Sequence, residues 1–370
     1  MADTDPLSIF LVGTPGLEDI LCAEAQALGW ADAVSVPGGV EIGGGWPDVW
    51  RANLELRGAT RVLVRIGSFM AFHPAQLDKR ARKFPWGDVL RPDVPVRVDA
   101  VSKKSKIYHA GAAKQRIERA ISEELGAEIS ADATVVVKVR IDDNVVTISV
   151  DSSGESLHKR GHKEAVGKAP MRETLASLFL RSCGYDGSQA VLDPMCGSGT
   201  FVIEAAEMAL GLQAGRSRHF AFEQLSSFDP EAFEALKTPP KITDPEVRFF
   251  GSDRNTGAIT MATANAERAG VAAVTSFRHS SVSDMQRPDG PPGIVIVNPP
   301  YGARIGNKKL LFGLYAALGT RLKEEFQGWR VGIITSDTGL ARATGLPKLR
   351  NGPPLPHGGL KVRLFEAGPL

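Results

Sequence analysis

Apolar and polar positions change rhythm twice along the chain. Residues 7–12 read as a short apolar strand, and Pro15-Gly16-Leu17-Glu18-Asp19 opens an Ala/Leu-rich helix that ends near Gly29, where a C-cap glycine belongs. A strand pair over 34–42, broken at Pro37-Gly38-Gly39, a helix over 46–54 and a strand over 61–66 complete a small α+β module whose helices cover one sheet face. A second block follows, with a helix over 75–84, a strand over 94–100, a helix over 110–125 and strands over 135–141 and 145–150. The last two are joined by the tight polar turn Asp142-Asp143-Asn144.

From Arg172 onward strands alternate with longer helices, the pattern of a parallel sheet built from βαβ units. Helices are predicted over 174–183, 200–212, 256–269 and 310–326, and strands over 190–193, 248–253, 294–297 and 330–335. Residues 213–245 interrupt this rhythm and read as an insertion packed by Phe220, Phe222, Phe228 and Phe233. A loop over 351–359 precedes a final strand, 360–365, placed to pair beside 330–335.

A length of 370 residues implies two or three domains against a prior of about 150 each. At 43% hydrophobic and 23% charged, the chain resembles soluble globular proteins and not disordered, collagen-like or disulfide-scaffold sequences. The first residues lack a basic region, and no segment reaches the roughly 18 apolar residues of a membrane span, so a cytoplasmic protein with no membrane partner is expected. Cys22, Cys183 and Cys196 are widely spaced and odd in number, which fits buried thiols in a reducing compartment. His73, His109, His219, His279 and His357 show no ligand spacing, so no metal is expected.

Forty-four basic residues against forty-two acidic ones leave only +2, so any basic surface must come from local clustering. Two clusters exist. Residues 101–119 hold Lys103, Lys104, Lys106, Lys114, Arg116 and Arg119 against Glu118 alone, and residues 158–172 hold Lys159, Arg160, Lys163, Lys168 and Arg172 against Glu164. A charge run is usually a solvated helix face, but recurrence where one block hands over to the next favours contact with phosphates through counterion release. Lys103, Lys104, Lys106, Lys114, Arg116, Lys159, Arg160 and Lys163 are the candidate nucleic-acid-contacting residues, with His158 and His162 in the same hinge.

Three motifs carry chemistry. Val191-Leu-Asp193-Pro194-Met-Cys-Gly197-Ser-Gly199-Thr200 is a strand ending in an acid, then a glycine-rich turn, then a helix whose first N–H groups are unpaired. A dinucleotide fingerprint would have a third glycine where Val202 stands, and an acid beside a phosphate would repel it. Asp193 suits a cationic amino-acid moiety better, which points to S-adenosylmethionine. Asp253, at the end of Phe249-Phe-Gly-Ser-Asp253, can accept both hydroxyls of a ribose, or serve only as a cap for the next helix. In Ile294-Val-Ile-Val-Asn298-Pro299-Pro300-Tyr301 the prolines fix the Asn298 side-chain and Pro299 main-chain carbonyls beside an aromatic plate, an arrangement suited to a planar amine.

In this order the motifs resemble the class I S-adenosylmethionine-dependent amino-methyltransferases, whose diagnostic tetrapeptide matches Asn298-Pro-Pro-Tyr301. More narrowly, nearly the whole chain is similar to bacterial THUMP-domain RNA guanine-N2 methyltransferases, those acting on 23S ribosomal RNA included. The likeness also rests on Thr14-Pro-Gly-Leu-Glu18, Lys104-Ser-Lys-Ile-Tyr-His109, Leu157-His-Lys-Arg-Gly161, Ala169-Pro-Met-Arg-Glu173 and Phe220-Ala-Phe-Glu223. It implies an α/β fold: a ferredoxin-like module over 1–65, a THUMP RNA-binding domain over 66–157 and a Rossmann-like methyltransferase domain over 158–370.

By the same resemblance Asp193, Pro194, Gly197, Gly199 and Thr200 line the methionine part of the cofactor and Asp253 its ribose. Lys168 and Ala169 approach its carboxylate. Asn298, Pro299 and Tyr301 take the target base, Asn298 also bordering the cofactor. The family has an acid at the position of Ser281, near the adenine amine, and Asp284 stands three residues on.

The reaction implied is an in-line methyl transfer to an unstacked base, governed by alignment and needing no metal. Ribosomal RNA is the first expectation and transfer RNA the second, with a monomer as the working assembly. An adenine-N6 DNA methyltransferase shares the tetrapeptide but lacks a duplex-reading domain here. A protein-glutamine methyltransferase would leave the basic clusters without a role. A nonenzymatic RNA-binding factor would not need all three motifs.

Overall fold

The computed structural model describes residues 6–164, 171–241, 248–302 and 308–370. The chain divides into two compact units. The first comprises the N-terminal segment to Gly13, then Leu21–Leu157 and Arg218–Lys237; the second comprises Thr14–Ile20, His158–Ser217 and Thr238–Leu370.

The first unit is built on one seven-stranded sheet. In chain order its elements are β1 (Leu7–Val12), α1 (Glu18–Ala27), β2 (Val34–Val36), β3 (Gly39–Gly44), α2 (Trp46–Glu55), β4 (Arg61–Met70), α3 (Pro74–Arg82), β5 (Val96–Lys103), α4 (Ala110–Leu125), β6 (Val135–Asp142) and β7 (Val145–Asp151). The strand order is β2-β3-β1-β4-β7-β6-β5, with all pairs antiparallel except β5–β6. The boundary expected at residue 65 falls inside β4, whose far half pairs with β7, so the two sequence blocks share this sheet. Alternation along β6 and β7 buries Val135, Val137, Val139, Ile148 and Val150 on one face, while α4, packed on β5 and α3, buries Ile117 and Ile121.

The second unit begins with α5 (Glu173–Ser182), β8 (Val191–Asp193) and α6 (Thr200–Ala209). The chain then contributes residues 218–237, including α7 (Pro230–Glu234), to the first unit. There Phe220 and Phe222 stack at 5.0 Å, and Trp50 meets Phe228 edge-on at 5.9 Å, so the insertion's phenylalanines are core residues as expected.

Back in the second unit follow β9 (Phe249–Asp253), α8 (Thr256–Ala269), β10 (Thr275–His279), β11 (Ile294–Val297), α9 (Lys308–Glu325), β12 (Arg330–Thr335), α10 (Thr338–Ala343), β13 (Arg350–Asn351), β14 (Leu355–His357) and β15 (Leu360–Ala367). The sheet runs β10-β9-β8-β11-β12-β15-β13, with β14 paired to β15. Strands β8 to β12 are parallel and β15 is antiparallel to β12, the pairing expected for the final strand. Tyr315, Leu318 and Leu322 of α9 and Phe326 just after it pack with Trp329 beneath β11 and β12; burial of each such side chain contributes roughly 1.5–3 kcal/mol.

Candidate active site

Connections from β8 lead outward through β9 to β10 on one side, whereas β11 and β12 lie on the other. The order therefore reverses between β8 and β11, and crevices at the carboxyl edge of such a switch point bind ligands. All three motifs end there, on adjacent strands spaced about 4.8 Å apart. Asp193 is level with Gly251 of β9, and Leu192 with Val295 of β11, so Asp253 and Asn298 both stand further along the strands than Asp193. The result is a cup with Asp193 at its floor and the other two on opposite walls.

Asp193 is 2% exposed and accepts a hydrogen bond from Met195 N at 3.0 Å. Burial, with a smaller push from Asp253, raises its carboxyl to about 8. No lysine or arginine among the described residues pairs with it. The turn above bends through Gly197 and Gly199, whose φ angles of 53° and 85° lie in the left-handed region that favours glycine. A Cβ on Gly199 would meet Ala262, Phe277 and Ile203 within 3.3 Å, whereas one on Gly197 would face open space. Gly199 thus packs the turn against the fold, and Gly197 presents backbone to the cup.

Asp253 holds this turn from the side. Its two oxygens accept Gly197 N at 3.1 Å and Asn255 N at 2.9 Å, which leaves further acceptor capacity on each. The cap of α8 is Asn255, not Asp253. Beyond β10, the Ser281 hydroxyl donates to Asp284 at 2.7 Å, so these two form one polar pair.

On the opposite wall Asn298 follows the fully buried strand β11. Its side-chain oxygen is buried and has no hydrogen-bond partner among the described residues. Pro299 is buried, and Tyr301 is half-buried, packed against the core around α9. Burial lifts the Tyr301 phenol to about 12, so it stays protonated at neutral pH. The Tyr315 hydroxyl donates to Pro300 O at 3.4 Å and steadies the proline pair.

Two residues expected to face RNA are occupied inside the second unit. Arg160 is 2% exposed and donates through Nε to Glu204 at 3.0 Å. Lys163 Nζ lies 2.8 Å from both Glu173 Oε1 and Thr200 Oγ1. A cation buried against a carboxylate does not leave that partner for solvent. His162 is likewise buried, 3.5 Å from Glu207, whereas Lys159 is exposed.

In the first unit Lys103 ends β5 and Lys104 and Lys106 follow it, all three exposed, and Lys106 N donates to Asn144 Oδ1 at 2.9 Å. Lys114 and Arg116 are partly buried and lie 3.6 Å from Glu118 and 3.9 Å from Asp78. Lys168 and Ala169 lie outside the described residues.

Sequence reasoning missed two features. Tyr108, 83% exposed beside the lysines, is a large aromatic ring in water. Asn265 is fully buried and donates to Ser198 O at 3.0 Å, supporting the glycine-rich turn from behind. The signal for it was present: Asn265 sits on the Ala258-Ala262-Ala266-Ala269 stripe of α8, where an apolar residue belongs.

No group of three His, Cys, Asp or Glu side chains able to hold a metal occurs among the described residues, and no helix among them is long and apolar enough to cross a membrane.

A family model described as an RMKL-like methyltransferase domain matches residues 160–353, and one described as an RlmL ferredoxin-like domain matches residues 8–63. The ribosomal RNA large subunit methyltransferase K/L of Psychromonas ingrahamii is 33% identical, over 94% of this chain and 49% of its own length. The chain therefore spans about half the length of the curated relatives it matches. Among solved structures, a "possible methylase" from Clostridium difficile 630 superposes with a TM-score of 0.86 at 27% identity, covering 98% of each chain. SMU.472 complexed with SAH superposes at 0.83 and 25% identity, covering 98% of each.

Proposed function

The chain belongs to the RMKL-like methyltransferase family, and from that premise we propose that it methylates the exocyclic N2 amine of a guanosine in RNA, large-subunit ribosomal RNA before transfer RNA, as a cytoplasmic monomer. The observation that carries this reading is the buried Asn298 oxygen, which has no partner among the described residues. Leaving such an acceptor unmet costs about 1–3 kcal/mol, and a substrate N–H supplies what it lacks.

The crevice fits S-adenosylmethionine on its own terms. Asp193 is a buried carboxyl with no cation partner among the described residues, Gly197 leaves open space, and Asp253 keeps acceptor capacity for ribose hydroxyls. When bound, that cofactor supplies an electrophilic methyl group on a sulfonium.

The chain's own residues then have defined tasks. Asn298 and the Pro299 carbonyl receive the two N–H groups of the amine, draw its lone pair out of conjugation and stabilise the positive charge growing on nitrogen. Tyr301, protonated and half-buried, offers its ring for stacking. A methylated ammonium loses its proton readily, so no strong base is needed. Lys103, Lys104, Lys106 and Lys159 meet backbone phosphates, and exposed Tyr108 stacks on an unpaired base.

The test is nucleoside mass spectrometry after incubating the purified chain and cofactor with 23S ribosomal RNA, transfer RNA, duplex DNA and protein. N2-methylguanosine in ribosomal RNA is expected; N6-methyladenine in DNA or methylglutamine alone would overturn the reading. Asn298→Ala should lower turnover by about a hundredfold or more while SAH affinity changes less than about threefold. Equal loss of both would contradict the role given to Asn298.

A further inference from the structure

The glycine-rich turn is gripped from one short segment, residues 162–163, by two routes. By the first, His162 O accepts from Arg268 Nε at 2.8 Å, Arg268 also donates to Asn265 Oδ1, and Asn265 Nδ2 donates to Ser198 O at 3.0 Å. By the second, the next residue, Lys163, places its ammonium 2.8 Å from Thr200 Oγ1, 2.8 Å from Glu173 Oε1 and 3.5 Å from Met171 O. Ser198 and Thr200 bracket Gly199, so both arms close on the same bend.

The second arm has a chemical consequence. Lys163 is 11% exposed in its side chain and Glu173 8%. An ammonium has three donors and no acceptor, and all three are spent here. Thr200 Oγ1 must therefore accept from Lys163, and its hydroxyl proton has to be donated elsewhere. Thr200 opens α6 and Glu173 opens α5, so Lys163 also ties two helix starts together. The first turn of α6 adds unpaired N–H groups and the positive end of the helix dipole. The ammonium is neutralised by Glu173, so the hydroxyl forced to donate and the helix start form the anion-receiving corner beside the turn.

We propose that Lys163 is a positioning residue for the cofactor: by holding Thr200 as an acceptor it aims the Thr200 hydroxyl proton at the cofactor's carboxylate. Asp193 meets the cationic part of the same amino-acid moiety, so the two ends of a zwitterion are read by opposite charges. The proposal rests on the methyltransferase reading above.

Titration calorimetry of the full chain with SAH, paired with steady-state kinetics, tests it. Lys163→Met should weaken SAH binding about ten- to a hundredfold, the range expected for losing a charge-assisted hydrogen bond. KM for S-adenosylmethionine should rise in parallel, and kcat at saturation should stay within about threefold.

Because Lys163→Met strands Glu173, the double variant Lys163→Met/Glu173→Gln removes the buried charge and should fold, yet bind SAH as weakly as the single variant. Thr200→Val should show the same loss, Thr200→Ser should restore affinity, and Lys163→Met/Thr200→Val should be no worse than either alone. A purely structural lysine would instead lower melting temperature and kcat together, and its effect would add to that of Thr200→Val; that outcome overturns the proposal. Native SAH affinity in the neutral double variant also overturns it. If the wild-type chain itself binds no SAH, the methyltransferase reading fails first, which separates the two failures.

Discussion

Residues 103–106 and 160–163 look alike in the sequence, each a short run with cations near a block boundary, yet their cations end in opposite environments. Lys103 at the end of β5 and Lys104 and Lys106 just after it stand in solvent, Lys106 fastened by its backbone to Asn144. Arg160 and Lys163 point inward and neutralise Glu204 and Glu173. What separates them is supply of carboxylates. The first run follows the edge strand β5, whereas the second meets acids on α5 and α6, two helices buried on most sides. A basic run therefore reports a phosphate-contacting surface only where no buried acid claims it.

The largest test of this contrast is on stability. Arg160→Met takes the guanidinium away from the buried Glu204 carboxylate and should destabilise the chain by about 3–5 kcal/mol in urea unfolding. Lys104→Gln should shift stability by less than about 0.5 kcal/mol. Similar small effects from both would mean that Arg160 does not neutralise a buried Glu204.

The same contrast distinguishes two buried aspartates. Asp151 in the first unit is fully buried, but Arg61 lies 2.5 Å away and Ser153 N also donates to it; burial still pushes its carboxyl up while Arg61 pulls it down. Asp193 has no such cation among the described residues and is raised to about 8. A structural carboxylate arrives with its counter-charge, and a site carboxylate is left short of one.

The sign follows. Folding favours protonated Asp193, so its contribution to stability is full below the ordinary carboxylate value of 3.8 and is lost as pH rises toward about 8. Only the ionised form attracts a cationic ligand, so SAH affinity should climb up to about fiftyfold between pH 6 and pH 8. Asp193→Asn should bind weakly at every pH and abolish that slope. A flat wild-type profile would show that Asp193 is already ionised in the free protein.

Much of this was legible beforehand, for physical reasons that differ by element. Helices 110–125 and 256–269 and strands 294–297 and 330–335 match the structure residue for residue, because each is bounded by a glycine, an asparagine cap, a proline or a charged turn. Strand β10 was missed: Thr-Ser-Phe-Arg-His lies on the sheet edge with no buried residue, so it has no apolar run. The short helix α10 was missed although Asp337 accepts from Gly339 N and Leu340 N, a cap visible in the sequence as Asp-Thr-Gly-Leu.

The three strand-end motifs could be read because each is contiguous. The grip on the glycine-rich turn could not, since Lys163 meets Thr200 across 37 positions and Asn265 meets Ser198 across 67. Local pattern carries no record of such pairings.

The smallest effects belong to the cations left in water. Replacing Lys103, Lys104 and Lys106 by glutamine should weaken binding of a single-stranded ribosomal RNA fragment and lower the slope of log affinity against log salt by about 2, near 0.7 for each phosphate no longer neutralised. The salt slope discriminates better than affinity at one condition, because a folding defect lowers the amount of active protein without changing how many counterions each bound molecule releases. If the triple variant keeps the wild-type slope, the first unit's lysines are a solvated surface only, and the grip on RNA lies elsewhere.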